Sequence, residues 1–159
     1  MSTYEPVLFP KMPKKSEKEI KALTKSLYQI FSFRRTIRNF SETPISEEVI
    51  QNCIKIAAMA PSGANHQPWH FVAISSSTIK MKIRNAAEKE EKKFYSSLNH
   101  DEWLRALEPI GTGPNKLHLE KAPWLIVIFA ERYGIKTDGS TYKNYYVPES
   151  VGIACGFLI

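Results

Sequence analysis

Cysteine is scarce in this chain. Its two residues, Cys53 and Cys155, have neither metal-ligand nor Cys-x-x-Cys spacing, and they fit a reduced, cytoplasmic setting best. Long apolar runs are missing too: no segment reaches membrane-spanning length, and the opening residues do not read as a signal peptide. No basic stripe interleaved with aromatics occurs, which counts against nucleic acid as a partner. Internal repeats and low-complexity tracts are also lacking.

What is present suits a globular protein. The 159 residues fall within the usual range of one domain, and 43% hydrophobic with 24% charged residues is an ordinary balance. The 22 basic against 16 acidic residues give a net charge of +6, which favours an anionic partner such as a phosphate cofactor. The bases are scattered except for Lys11, Lys14, Lys15 and Lys18.

Residues 1–15 are Pro-rich and basic without a period, so they read as a flexible arm; residues 16–159 read as the folded domain. Ser16 predicts the cap of a helix to about Phe31, with Ile20, Leu23, Leu27, Ile30 and Phe31 on one face. Arg34, Arg35 and Arg38 then crowd three guanidinium groups into five positions. That is either a solvated charged turn or a bidentate anion site.

Ser46 with Glu47 and Glu48 predicts a second helix, carrying Val49, Ile50, Cys53, Ile54, Ala57 and Ala58 inward. Ala60 to Phe71 is stiff at Pro61 and Pro68 and open at Ser62-Gly63-Ala64. Backbone N–H groups on such a turn can meet an anion or a polar ring edge. Phe71 to Ile74 reads as a buried strand, and Trp124 to Ala130 as another.

A long helix is expected from Thr78 to about Leu98. Its charged run from Glu88 reads as a solvated face laced with i,i+4 pairs, but Glu91 and Tyr95 project from one face. Residues 99–121 read as an irregular lid or binding loop that carries Lys116, and residues 134–144 as a polar loop. A final helix starts near Tyr146 with Pro148 and Glu149 in its first turn, and no stop signal follows. Two strands seldom make an independently stable sheet. A further C-terminal part that completes sheet and helix, or a partner that supplies it, is therefore expected.

Four elements together resemble the FMN-dependent nitroreductase superfamily: Arg34-Arg35-Thr36-Ile37-Arg38, Ala60-Pro61-Ser62-Gly63-Ala64 with Pro68-Trp69, Ala122-Pro123, and Ser150 to Gly156. Within it, the chain is most similar to the iodotyrosine deiodinase group, which uses a Glu, a Tyr four residues later and a Lys twenty-one after that. Glu91, Tyr95 and Lys116 stand at that spacing. The resemblance runs from about Phe33 to Ile159.

The resemblance implies an α+β fold, a mainly antiparallel central sheet flanked by helices, assembled as a domain-swapped type of homodimer. It implies FMN as cofactor, held by Arg34, Arg35, Thr36, Ile37, Arg38, Pro61, Ser62 and Gly63. The Ala64 N–H would meet a substrate phenolate, Glu91 its ammonium, and Tyr95 with Lys116 its carboxylate. The implied activity is reductive dehalogenation of mono- or diiodotyrosine to tyrosine and iodide, centred on the flavin, with NADPH as the eventual reductant. The group's hydroxyl donor to the flavin ring falls beyond Ile159. Two alternatives stand beside this reading: a general FMN-dependent nitroreductase or flavin reductase, and a truncated non-catalytic form. No metal is implied.

Overall fold

The computed structural model describes residues 5–96 and 101–159. The chain divides into two compact units, one running to Thr36 and the other Ile37–Ile159.

In the first unit, residues 5–16 have no regular secondary structure and are exposed. Helix α1 (Glu17–Ser32) starts where a capping box forms: Ser16 Oγ accepts the Glu19 N–H, and the Glu19 carboxylate accepts the Ser16 N–H at 2.7 Å. That reciprocal pair satisfies two of the donors left over at a helix start. Ile20, Leu23, Leu27, Ile30 and Phe31 share one face of α1, and all are exposed.

The second unit begins with α2 (Glu47–Ala57), β1 (Trp69–Ile74) and α3 (Ser77–Tyr95), then α4 (Asp101–Leu107) and α5 (His118–Lys121). It continues with β2 (Leu125–Ala130), β3 (Tyr133–Ile135), β4 (Thr141–Lys143) and α6 (Val147–Leu158). Strands β1 and β2 pair antiparallel, with Trp69 opposite Ala130 and Ile74 opposite Leu125. Both strands are rich in aliphatic and aromatic residues, yet they are half-buried to exposed and not the buried strands expected. Ser76 caps α3 through its Oγ, which accepts the Ile79 N–H.

Helices α2 and α6 pack on each other. Ile50 and Ala57 are the buried residues of α2, and Val147, Ser150 and Ala154 those of α6. Ala57 and Ala154 are both fully buried, and small side chains there let two helices lie close. Ala60, Pro68 and Ala122 complete the buried core among the described residues. Val49, expected inward on α2, is exposed instead: Ile50 and Ala57 are buried and Cys53 and Ile54 half-buried on that helix.

Three expectations change. Residues 101–121 are not irregular: α4, a 3₁₀ turn at Glu108–Ile110 and α5 occupy most of them. Gly111, Gly113 and Pro114 separate these short helices rather than preventing them, and Gly111, with φ 63°, closes the 3₁₀ turn in the left-handed region. Residues 134–144 are not a plain loop, since β3 and β4 form a hairpin. Its turn is held by Asp138 Oδ1, which accepts from the Ser140 N–H at 2.8 Å and the Ser140 hydroxyl at 2.6 Å. Strands of three residues are too short to show an alternation in sequence. Finally, α3 ends at Tyr95 with Ser96 as its cap; the expected continuation to Leu98 lies outside the described residues.

Candidate functional site

The first element is the loop from Pro61 to Pro68. Gly63, Ala64 and Asn65 form a 3₁₀ turn in which Ala64 and Asn65 take φ of 50° and 53°, and Gln67 follows at 49°. Three non-glycine residues in the left-handed region within four positions mark a loop held in one shape by its surroundings. The holding bonds are identifiable. Ser62 Oγ accepts the Gln67 N–H at 2.9 Å, the Ser62 carbonyl accepts the Asn65 N–H at 3.1 Å, and the Gly63 carbonyl accepts the His66 N–H at 3.0 Å. Ser150 Oγ on α6 accepts the Gly63 N–H at 3.2 Å.

Gly63 is required here for space. A Cβ at this position would lie 2.7 Å from the Tyr145 carbonyl oxygen and 2.9 Å from the Tyr146 ring. Tyr146 itself has φ 51° and precedes α6, so the two strained segments press against each other. His66 stacks edge-on against Tyr142 and lies tilted against Tyr145, with centroids 5.3 and 5.7 Å away. Pro61 and Ala64 are exposed on the outside of the loop, while Ser62 and Gly63 are half-buried.

The second element is one face of α3 and the segment after α4. Glu91 and Lys116 form an ion pair, Oε2 to Nζ at 3.0 Å, and their side chains are 36% and 19% exposed. Tyr95, one turn along, donates its hydroxyl hydrogen to Thr112 Oγ1 at 3.1 Å. Glu88 accepts the Lys116 backbone N–H at 2.8 Å and the Arg84 Nε–H at 2.8 Å, through the same oxygen. Arg84 donates onward from Nη1 to Glu120 on α5 at 2.7 Å. These bonds hold the Glu88 carboxyl below its usual range, the Arg84 guanidinium first and the Lys116 N–H second; Glu88 and Glu120 in turn raise the Arg84 value.

The third element is cationic. Arg38, Lys116 and His118 line one open polar groove of about 320 Å³, together with Thr112 and Asn115. Burial lowers the His118 value first, and the charges of Lys116 and Arg38 lower it further. Arg38 and Lys116 put two cationic side chains on this groove, which is the kind of lining an anion meets.

Of the expected clamp residues, Glu91 and Lys116 are paired while Tyr95 bonds Thr112 instead, and Arg38 shares the groove with Lys116. Pro61, Ser62, Gly63 and Ala64 form the strained loop. Arg34, Arg35 and Thr36 close the N-terminal unit, where Arg35 Nη1 donates to the Ser32 and Arg34 carbonyls at 2.9 and 2.8 Å. Ile37 opens the second unit, 59% exposed. Arg84, Glu88, Thr112, His118 and Glu120 were not singled out from sequence. The i,i+4 spacing of Arg84 and Glu88 was their one visible signal. The charged run is solvated where Lys93 pairs with Glu90 at 2.7 Å, but Glu88 and Glu91 point the other way.

Helices accompany an antiparallel strand pair in this α+β chain, and the Nitroreductase family model matches residues 32–159. The chain belongs to that family. It is 54% identical over 132 residues to the iodotyrosine deiodinase of Haliscomenobacter hydrossis, covering 83% of this chain and 60% of that protein. It is 40% identical over 154 residues to the iodotyrosine deiodinase of Daphnia pulex, covering 97% of this chain and 51% of that one. Among solved structures it is similar to oxidized iodotyrosine deiodinase bound to FMN and 3-iodo-L-tyrosine, with a TM-score of 0.69 and 32% identity over 83% of this chain and 66% of that one. The chain therefore spans 51–60% of the length of these curated relatives.

Among the described residues no helix is long and apolar enough to cross a membrane. Nor does any group of three or more His, Cys, Asp or Glu there stand ready to hold a metal.

Proposed function

We propose that this protein is an FMN-dependent reductive dehalogenase of halogenated tyrosines, acting on mono- and diiodotyrosine. One observation carries the reading: Glu91 of α3 pairs with Lys116 of the following segment, and Tyr95, one turn along the same helix, bonds Thr112 of that segment. A free amino acid presents the complementary pair of charges. The similarity to a structure holding FMN and 3-iodo-L-tyrosine supports the same assignment.

The residues present fit a flavin mononucleotide. Arg38 and Lys116 line one open polar groove and offer it two cationic side chains. The Pro61–Pro68 loop is rigid, with Ser62, Gly63 and Ala64 at its turn. In this reading Arg34, Arg35, Thr36, Ile37 and Arg38 hold the phosphate and the polar edge of the ring, and Pro61, Ser62 and Gly63 line the ring. FMN, when bound, supplies the two electrons of the reaction. The protein's part is orientation and exclusion of water. The Ala64 N–H faces the substrate phenolate oxygen, Glu91 holds the ammonium, and Tyr95 with Lys116 holds the carboxylate. The carbon–iodine bond breaks, iodide leaves, and a proton takes its place on the ring.

NADPH, directly or through a reductase, is the electron donor in this reading, and two copies of the chain assemble as a homodimer. Gly152 and Gly156 on α6 face open space, which suits close approach of a second helix.

The test is iodide release. Purified protein loaded with FMN and reduced by dithionite should release iodide and tyrosine from diiodotyrosine faster than it reduces a simple nitroaromatic. The reverse preference would sink the reading in favour of a general flavin reductase, and failure to retain flavin would sink both.

A further inference from the structure

Four residues of α3 repeat at i, i+4, i+7 and i+11: Arg84, Glu88, Glu91 and Tyr95. That spacing places them in one row along the helix. Each reaches the segment that returns alongside α3. Taken from the C-terminal end, Tyr95 holds Thr112 at 3.1 Å, and Glu91 holds the Lys116 ammonium at 3.0 Å. Glu88 holds the Lys116 backbone N–H at 2.8 Å, and Arg84 holds Glu120 at 2.7 Å. The rungs run in opposite chain directions, like a ladder of side chains.

We propose that Glu88, braced by Arg84, is a positioning residue for Lys116: its carboxylate fixes the lysine backbone so that the ammonium is delivered beside Glu91 and Tyr95. The inference rests on the clamp reading above. Glu88 spends one oxygen on two donors, the Arg84 Nε–H and the Lys116 N–H, both at 2.8 Å. Its side chain is only 15% exposed, so both bonds lie largely out of water. Charge-assisted bonds to a backbone N–H are stronger than neutral ones. Without Glu88, Lys116 keeps its own charge and its partner Glu91, but loses the tether that sets where the side chain starts. A side chain as long as lysine placed from a loose backbone gives up most of its orientation.

Glu88 touches neither flavin nor substrate in this account, so its loss should act on discrimination. Three variants, Glu88→Ala, Glu88→Gln and Lys116→Ala, separate the possibilities against wild type. The first readout is amide hydrogen exchange of the 112–121 segment in protein without added flavin. Exchange there should quicken roughly tenfold or more in Glu88→Ala, stay near wild type in Glu88→Gln, which retains an acceptor, and leave α2 and α6 unchanged. The second is flavin fluorescence quenching by 3-iodotyrosine and by 2-iodophenol. Glu88→Ala should lose much of the preference for the amino acid while binding the phenol as before, and Glu88→Gln should restore it.

Wild type without any preference for iodotyrosine would refute the clamp itself. Preference lost in Lys116→Ala but kept in Glu88→Ala would leave the clamp standing and overturn the positioning role. Faster exchange spread evenly over α2 and α6 in Glu88→Ala would mark a merely structural residue, and it too would overturn the proposal. Were Glu88→Ala not to fold, the Gln variant decides alone: it must keep both the slow exchange and the preference.

Discussion

The Lys116 ammonium lies 3.0 Å from the Glu91 carboxylate, so the cation and anion of the clamp neutralise each other before any ligand arrives. A zwitterion can replace both partners at once, giving its carboxylate to Lys116 and its ammonium to Glu91. A ligand with a single charge leaves one side unpaired in a half-enclosed place, which costs about 1–3 kcal/mol for an unmet polar group. Glu91→Gln removes the competitor for Lys116. The variant should bind an iodinated phenylpropionate, which lacks the amine, more tightly than wild type does, and iodotyrosine less tightly. Titration of the flavin fluorescence with both ligands checks the crossover.

Gly63 has no room for a side chain. A methyl group there would meet the Tyr145 carbonyl at 2.7 Å, a backbone atom that cannot swing aside. Gly63→Ala should destabilise the fold by roughly 1–3 kcal/mol, in line with other forced overpacking. Denaturant unfolding should show a lower midpoint with an unchanged slope. A midpoint equal to wild type would mean that the Tyr145–Tyr146 segment moves freely, against the packing described here.

Removing the Ser150 hydroxyl strips the Gly63 N–H of its acceptor, now 3.2 Å away. Ser150→Ala should cost about 1–3 kcal/mol of stability through that unmet donor. Ser150→Gly would add helix-interior backbone freedom on top, so the alanine variant is the cleaner comparison.

Acid should loosen the cationic groove. Burial, Lys116 and Arg38 hold the His118 value below its ordinary 6.5, so the unfolded chain binds a proton more readily than the folded one. Stability from this source is therefore fully present above the ordinary value and declines as pH falls below it toward the lowered folded value. His118→Gln should flatten that part of the stability-versus-pH curve. Glu88 acts lower down. Its folded value is depressed by Arg84 and then by the Lys116 N–H, so its contribution is present above the usual carboxylate range and is lost only at more acid pH.

Arg38→Ala should weaken FMN binding roughly tenfold or more, the equivalent of losing one charge-assisted contact of on the order of 1.5–3 kcal/mol. Arg34→Ala and Arg35→Ala should act in the same direction. Equilibrium dialysis against FMN measures all three, and full retention in every variant would contradict their assignment to the cofactor.

Local signals carried much of the architecture. Ser16 announces the cap of α1, and the cap is there, completed by Glu19 as a capping box. Apolar runs of β-branched and aromatic residues announced both long strands. The Glu91–Tyr95 spacing on one helical face and the distant Lys116 were legible through family resemblance; Glu91 and Lys116 do meet, whereas Tyr95 reaches Thr112. The β3–β4 hairpin was hidden because three-residue strands show no period, and its fold depends on Gly134 lying against the Tyr142 ring. Arg84 and Glu88 looked like one more surface pair. Their other partners, Glu120 and the Lys116 N–H, lie 36 and 28 residues away in sequence, a separation no helical spacing reveals. The strained φ of Ala64, Asn65 and Gln67 was equally invisible, since it is imposed by Ser62, Ser150 and the tyrosines packed against the loop.

Recognition of an amino-acid zwitterion is the central claim, and one titration tests it most directly. Flavin fluorescence quenching by 3-iodotyrosine and by 2-iodophenol is measured for wild type and for Lys116→Ala. The account predicts far tighter binding of iodotyrosine by wild type, with the gap reduced at least tenfold in the variant, about 1.4 kcal/mol of discrimination. Equal affinity of wild type for the two ligands would contradict it.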